Sequence, residues 1–116
     1  MTIGELKDIL DAQIFCGEDM LNCEVQAAKA SDMMSEVLAC VKNHSVLLTG
    51  LLNPQVIRTA EMMDMQCIVF VRGKTPTDAM LELAADRNIC VLSTKHTMFT
   101  TCGLLFQQGL KGEEEC

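Results

Sequence analysis

The sequence contains few of the side chains on which nucleic acids and membranes depend. It has no Trp and no Tyr, its aromatic content is 3%, and its 9 basic residues are outnumbered by 16 acidic ones, which gives a net charge of −7. Proteins that bind nucleic acids normally present a basic surface, often with aromatic rings on which bases stack. No apolar run approaches the roughly 20 residues that a membrane-spanning helix needs. We therefore predict that the protein binds neither nucleic acid nor a membrane.

An export signal and a metal-binding cysteine pattern are also missing. The first ten residues, MTIGELKDIL, lack the basic segment followed by an apolar segment that a secretion signal requires. The seven cysteines are odd in number, and their closest pair, Cys16 and Cys23, is farther apart than the C-x-x-C spacing of zinc and iron–sulfur sites. Most lie in apolar stretches such as CIVFV, where cysteine acts as a small buried hydrophobic residue. We predict a reduced, cytoplasmic protein with no metal and no cofactor.

The 116 residues have the size of one domain, and their composition is that of a globular protein, with 49% hydrophobic and 22% charged residues. The two prolines and most glycines fall between periodic segments, and no linker or internal repeat divides the chain. We predict one domain over residues 1–110. The remaining residues 111–116, KGEEEC, are expected to form an acidic, solvated and flexible tail.

The first part of the sequence predicts two helices and two strands. Thr2 and Glu5 have the spacing of a capping box before a short amphipathic helix. The segment QIFCG is interpreted as a strand, and EVQAAKA as a strand or an extended connection. Ser31 or Asp32 is predicted to cap the next helix, and Asp32 and Glu36 are expected to be solvated. The buried stripe of that helix is predicted to comprise Met33, Met34, Val37, Leu38 and Val41.

The second part repeats a strand–loop–helix unit three times. Its strands, SVLLTG, CIVFV and ICVL, are short and apolar on both faces, which is typical of a parallel sheet covered by helices on both sides. The helices are predicted to begin at Asn53–Pro54, at Pro76 and at Ser93 or Thr94. Gly103, within the last helix, is expected to pack closely against a neighbouring element. The buried stripe of this helix is predicted to be Met98, Phe99, Cys102, Leu105 and Phe106.

We therefore predict an α/β fold: one domain with a mainly parallel sheet and helices on both faces. Parallel strands bring the loops at their carboxyl ends together, and ligands of such sheets bind there. Each of these loops, residues 49–53, 72–75 and 93–97, leads into a helix N-terminus, where backbone N–H groups and the helix dipole favour an anion. The loops also contribute one arginine, two lysines and one histidine. The residues predicted to bind an anionic small molecule are Thr49, Gly50, Asn53, Arg72, Gly73, Lys74, Ser93, Thr94 and His96.

The sequence contains no recognisable catalytic constellation. The segment GKT at residues 73–75 lies between a strand and a helix, but a phosphate-binding loop needs a glycine where Ile68 stands. His96 is the only histidine in the predicted site, and a lone histidine flanked by Ser93, Thr94 and Thr97 is typical of a cap or a surface residue rather than of a catalytic base. We predict that the protein is not an enzyme. Two alternatives remain: a phosphotransfer enzyme that uses Lys74 and His96, and a ligand-free interaction module that docks a larger redox or metabolic enzyme through an apolar helix face.

The motifs, taken in order, resemble those of the DRTGG-domain family. A G-E-D turn lies at residues 17–19, S-D-x-x-S-x-V at 31–37, L-T-x-x-x-N-P at 48–54 and L-S-T at 92–94. The resemblance extends from the first residue to about Gly109. At the place of the motif that names the family, the chain has NCEVQAA, so no role is carried over from that motif.

The resemblance implies a fold similar to the N-terminal domain of bacterial HPr kinase/phosphorylase. Related domains accompany phosphotransacetylases and CBS-domain inorganic pyrophosphatases, where they are accessories to the catalytic module and tend to dimerise. The resemblance implies no catalytic residue, because no activity is established for the family. We therefore expect a small regulatory domain, homodimeric, that binds a nucleotide or phosphorylated metabolite or acts with a larger enzyme partner.

Overall fold

Six strands form one sheet in the computed structural model, which describes residues 1–40 and 44–112. The strands are β1 (Gln13–Cys16), β2 (Ala27–Ala30), β3 (Ser45–Thr49), β4 (Cys67–Phe70), β5 (Cys90–Ser93) and β6 (Lys111–Gly112). Their order across the sheet is β1-β5-β4-β3-β2-β6. All neighbouring pairs are parallel except β1 and β5, which run antiparallel. The predicted mainly parallel sheet is therefore confirmed.

Helices cover both faces of this sheet, as predicted. They are α1 (Ile3–Ile9), α2 (Met34–Ala39), α3 (Pro54–Met62), α4 (Asp78–Asp86) and α5 (Met98–Gln107), and a 3-10 turn spans Glu18–Met20. Alternate strand residues point to opposite faces. On one face Val46, Val69 and Leu92 pack with α1 and α5. On the other face Leu47 and Ile68 pack with α2, α3 and α4.

Two helix starts follow from local sequence, as predicted. The amide of Glu5 donates to the Thr2 hydroxyl (3.1 Å), and the amide of Thr2 donates to the Glu5 carboxylate (3.0 Å), which completes the capping box of α1. At α3 the Asn53 side chain accepts a hydrogen bond from the amide of Gln55 (2.8 Å), and Pro54 occupies the first helical position. Such caps satisfy amides that have no partner within the helix.

The prediction for α2 is wrong in two respects. The residue at its N-cap is Met33, whose side chain makes no capping hydrogen bond, because the Asp32 carboxylate is bound to the end of β3 instead. The helix has only six residues, so its buried face is narrow and consists of Met34 and Val37. Met33 is 58% exposed and Leu38 is 40% exposed, and Val41 lies outside the described residues.

The prediction for α5 also needs correction. Its cap is Thr97, which accepts a hydrogen bond from the amide of Thr100 (3.4 Å), because the hydroxyls of Ser93 and Thr94 donate to other loops. The buried face of the helix is shifted toward Thr101 and Leu105, since α5 lies over the middle of the sheet. Two residues of the predicted buried stripe are therefore turned outward: Phe99 is 88% exposed and Phe106 is 60% exposed.

Two further expectations concern the end of the chain. A methyl group added at Gly103 would meet nothing within 4 Å, so the expected close packing is absent. The nearby strand β2 contributes only alanines to this side, which leaves space over the glycine. Lys111 and Gly112, which we expected to begin the tail, extend the sheet as β6, parallel to β2. Residues 113–116 lie outside the described residues.

Candidate functional site

The second and third predicted loops are joined by backbone hydrogen bonds at the carboxyl ends of β4 and β5. The amide of Arg72 donates to the carbonyl of His96 (2.8 Å), and the amide of Gly73 donates to that of Thr94 (2.8 Å). The Ser93 hydroxyl, which is buried, donates to the carbonyl of Lys74 (2.7 Å). The loops therefore meet as the parallel topology predicts, and they hold each other in a defined conformation.

The first loop joins this cluster through Arg72. The amide of Val71 donates to the carbonyl of Thr49 (3.0 Å). Gly50 is buried, and the guanidinium of Arg72 lies directly against it, so that a methyl group at this position would overlap the guanidinium. The absence of a side chain at Gly50 is thus what allows Arg72 to reach across the first loop. We call residues 49–53, 72–75 and 93–97 together the loop cluster.

The remaining predicted site residues take supporting positions. Thr94 is buried, and its hydroxyl donates to the carbonyl of Leu10 (2.8 Å), which ties the third loop to the end of α1. Thr49 is also buried, and its hydroxyl accepts a hydrogen bond from the amide of Leu51 (3.1 Å). Asn53 caps α3, so its amide oxygen is already used.

Asp32 lies beside the loop cluster; it is exposed, as predicted, but its carboxylate also has partners that the sequence did not indicate. Its carboxylate accepts hydrogen bonds from the amide of Gly50 (2.6 Å) and from the Thr49 hydroxyl (3.0 Å). Asp32 follows β2, which is itself parallel to β3, so its loop ends at the same edge of the sheet. The segment EVQAAKA could have indicated this position of Asp32, because the loop that follows any parallel strand is a candidate ligand-binding loop. Glu36, the other residue expected to be solvated, is exposed and accepts a hydrogen bond from the Ser31 hydroxyl (3.2 Å).

An anion at the loop cluster would contact the basic side chains rather than the backbone amides. The amides of Gly50, Arg72 and Gly73 already donate to protein oxygens, so they do not form an open ring of donors. Arg72, Lys74 and Lys95 carry three positive charges, and within residues 1–40 and 44–112 none of them is in an ion pair. Their side chains are therefore the groups through which the cluster can bind an anion.

The free thiols of the described residues lie away from the loop cluster, and the hydrogen bond with Cys67 lowers the pKa of the buried Cys90 thiol. Cys67 and Cys90 are fully buried neighbours in adjacent strands, where their mutual hydrogen bond and burial raise the pKa of the Cys67 thiol. Burial also raises the pKa of the Cys16 and Cys102 thiols. In the described part of the chain, no group of three or more His, Cys, Asp or Glu residues could hold a metal ion. That part also contains no helix with the length and apolar character needed to cross a membrane.

An apolar groove forms a second feature, beside α5 and away from these charges. Its volume is about 390 Å³, and it lies between α5 and the strands β2 and β6, of which β6 forms one edge of the sheet. We define the α5 groove by the residues that shape it: Ala28, Ala30, Phe99, Gly103, Phe106 and Lys111.

Comparisons with known proteins agree with the resemblance noted in the sequence. Residues 5–107 match the DRTGG domain. The chain belongs to the DRTGG-domain family. Its fold is similar to that in the crystal structure of the CBS and DRTGG domains of the regulatory region of Clostridium perfringens pyrophosphatase, complexed with the activator diadenosine tetraphosphate.

The similarity to the clostridial structure concerns the fold. The TM-score is 0.72 at 19% sequence identity, over 91% of this chain and 46% of that chain. Our chain thus spans less than half of the clostridial regulatory region. No curated protein matches the sequence.

Proposed function

We propose that this DRTGG domain is a regulatory domain that binds an anionic small molecule, a nucleotide or a phosphorylated metabolite, at the loop cluster. The observation that carries the proposal is the position of Arg72, whose guanidinium lies across Gly50 where the first and second loops meet. A guanidinium offers a planar set of donors that suits two phosphate oxygens at once. On a chain with a net charge of −7, three basic side chains that form no ion pair with any described residue are a local excess of positive charge at this edge of the sheet, even beside the carboxylate of Asp32.

The rigid surroundings of Arg72 support this role. The amide of Arg72 donates a hydrogen bond to the third loop, and its φ of 62° lies in the left-handed region. Its guanidinium contacts Gly50 of the first loop. A cation carried on a backbone that is held in one conformation loses less conformational entropy when it binds than one on a mobile loop does. The crystallised clostridial region was complexed with a nucleotide activator, which gives nucleotides priority among the ligands to test.

We further propose that the domain acts in the cytoplasm, as a homodimer, in the regulation of a larger enzyme. A regulatory role of this kind needs no catalytic group in the domain itself. Within the cluster, the imidazole of His96 and the ammonium of Lys74 would then serve binding, and we propose no catalytic role for either.

A thermal-shift measurement tests ligand binding. Nucleotides and phosphorylated metabolites are added at millimolar concentration, and a ligand at 100 times its dissociation constant should stabilise the domain by about 2.7 kcal/mol. The variant Arg72→Ala should lose this stabilisation. The matched control is Arg58→Ala, which removes the same charge from the exposed side of α3, outside the cluster. An equal response of both variants, or no stabilisation by any ligand, would count against the proposal.

A second variant tests the geometry rather than the charge. Gly50→Ala keeps all three basic residues, but its methyl group must displace the Arg72 guanidinium. The displaced atoms are the far end of a flexible side chain, so we expect a small change in stability and a clear loss of ligand affinity. Isothermal titration calorimetry measures the affinity, and unchanged binding by Gly50→Ala would remove Arg72 from the site.

An interaction module remains the second candidate, and one observation favours it. The rings of Phe99 and Phe106 are more fully exposed than Leu38 of α2, and they support α5 as the apolar face for a partner. Met34 and Val37 of α2 are buried in the core. In a pull-down from the native host, a larger enzyme that binds the wild type but not a Phe99→Glu variant would support this candidate.

A further inference from the structure

One helix face of this acidic protein carries no charge. The sequence of α5, MFTTCGLLFQ, contains no Asp, Glu, Lys or Arg. Phe99, Gly103 and Phe106 are spaced four and three residues apart, so they lie on one stripe of the helix. The two rings are 88% and 60% exposed, although a phenylalanine is among the residues most often buried. Exposed apolar patches of this kind mark interaction surfaces.

A recess lies between the two rings. A methyl group at Gly103 would meet no atom within 4 Å, and the small residues Ala28 and Ala30 of β2 form the adjacent wall. The resulting α5 groove has a volume of about 390 Å³. Phe99 and Phe106 thus project on either side of an opening that is large enough to accept aromatic rings from another molecule.

We propose that the α5 groove is the surface on which a second copy of this chain docks, with α5 packed antiparallel to its counterpart across a two-fold axis. This inference rests on the homodimer of the proposed function and names its interface. A two-fold interface requires one patch that is complementary to itself. The α5 groove meets that requirement because it contains the projecting rings and, between them at Gly103, the recess in which a second α5 can lie.

The spacing along the helix fits such a pair. With a rise of about 1.5 Å per residue, Phe99 lies roughly 6 Å before Gly103 and Phe106 lies roughly 4.5 Å after it. If two antiparallel helices cross at Gly103, Phe99 of one copy comes beside Phe106 of the other. The missing side chain at the crossing allows the helices to approach closely, and the aromatic pairs flank the contact.

Charge is the reason to choose a second copy over a different partner. Two copies with a net charge of −7 repel each other over most of their surface, and this repulsion is weakest where no acid is present. Among the residues that line the groove, Lys111 is the charged one, and its ammonium already lies 4.5 Å from the centroid of the Phe106 ring.

The exposed rings also supply a useful share of the area that a dimer needs. A fully buried aromatic side chain removes about 150–250 Å² from water, so the exposed fractions of both rings in two copies correspond to roughly 450–750 Å². A stable interface buries about 1,600 Å² in total. The rings thus provide between about a quarter and a half of it, and the walls of the groove provide further contact.

Sedimentation equilibrium over a dilution series tests the interface. The wild type should be a dimer, and Phe99→Glu, which places a charge in the centre of the interface, should raise the dimer dissociation constant by about 30-fold or more. Gly103→Leu, which fills the recess with a strong helix former, should have the same effect. The control Met62→Glu changes charge and apolar surface equally at an exposed methionine of α3, which is 71% exposed, and should leave the dimer intact.

The outcomes separate this inference from the proposed function. If the wild type is a dimer and both α5 variants remain dimers with the wild-type dissociation constant, the interface is elsewhere and only this inference is overturned. If the wild type is a monomer at all concentrations, the homodimer itself is overturned. Far-ultraviolet circular dichroism of the two variants shows that they fold, because both substitutions lie on the exposed side of α5. An equal loss of dimer in Met62→Glu would also overturn the inference.

Discussion

Replacement of Gly17 by alanine gives a sharp test of the fold. Gly17 ends β1 and begins the turn that follows it, with a φ of 89° in the left-handed region. A methyl group there would lie 2.7 Å from the Cα and 2.8 Å from the Cβ of Cys90. Cys90 is part of β5, which is hydrogen-bonded to strands on both sides, so its backbone cannot withdraw.

Two effects add up in this variant. A residue with a side chain in a strained backbone region loses about 1–3 kcal/mol of stability. Overpacking against a fixed neighbour typically costs about 1–3 kcal/mol more. We therefore expect Gly17→Ala to lower the free energy of unfolding by roughly 2–6 kcal/mol, which is a substantial part of the 5–15 kcal/mol of a typical domain.

Gly109→Ala is the matched control. Gly109 also has a positive φ, of 103°, but a methyl group there would meet nothing within 4 Å. The control therefore contains the backbone strain without the overlap, and should lose about 1–3 kcal/mol. Urea unfolding followed by far-ultraviolet circular dichroism is the suitable assay, since the chain has no Trp or Tyr for fluorescence. Equal losses in the two variants would refute the argument that the contact with β5 decides the cost.

Three further predictions concern single hydrogen-bonding groups. In the described part of the chain the Thr101 hydroxyl is buried without a hydrogen-bond partner, so Thr101→Val should raise stability by about 1 kcal/mol and the melting temperature by about 3–5 °C, measured by calorimetry. Thr94→Val leaves the carbonyl of Leu10 without its buried donor and should lower the free energy of urea unfolding by about 1–3 kcal/mol. The hydrogen bonds from Thr2 lower the pKa of Glu5 from 4.5, so this carboxylate stabilises the fold above its unfolded pKa and loses the effect as pH falls through its folded pKa. Unfolding midpoints of Glu5→Gln should therefore fall less steeply than those of the wild type between about pH 5 and pH 3.

Each of these predictions has a result that would contradict it. A lower melting temperature for Thr101→Val would mean that the hydroxyl has a stabilising partner. Wild-type stability of Thr94→Val would show that the bond to the end of α1 contributes nothing. Parallel pH profiles for the wild type and Glu5→Gln would show that the pKa of Glu5 is the same in the folded and unfolded chains.

The two proposals can be tested independently on the same protein. The loop cluster lies at the carboxyl ends of β3, β4 and β5, whereas the α5 groove runs beside β2 and β6. Gly103→Leu, which adds no charge and lies more than one turn from the loop cluster, is therefore expected to dissociate the dimer without the loss of ligand stabilisation that Arg72→Ala causes. If ligand binding also disappears in the monomeric variant, the two sites are coupled through the dimer.

Local sequence determined the features whose physical cause is local. The strands β3, β4 and β5 could be predicted because runs of Val, Ile and Leu without polar alternation suit only a sheet buried on both faces. The caps at Thr2 and Asn53 could be predicted because a cap and its amide partner lie within three residues of each other. The convergence of Arg72 and Ser93 followed from the direction of the strands alone.

Only the tertiary structure decided which apolar residues are buried and which polar residues meet. The helical periodicity placed Phe99 and Phe106 on one face of α5, but it could not show whether that face packs on the sheet. Its burial depends on how far the sheet extends beside α5, and the distant strands β2 and β6 decide that. The partners of Asp32 escaped prediction for the same reason, because Thr49 and Gly50 are 17 and 18 residues away in sequence. The presence of a hydrophobic stripe or a carboxylate can be read from local sequence. Whether the stripe is buried, and which groups hydrogen-bond to the carboxylate, depends on distant segments of the chain that fold beside them.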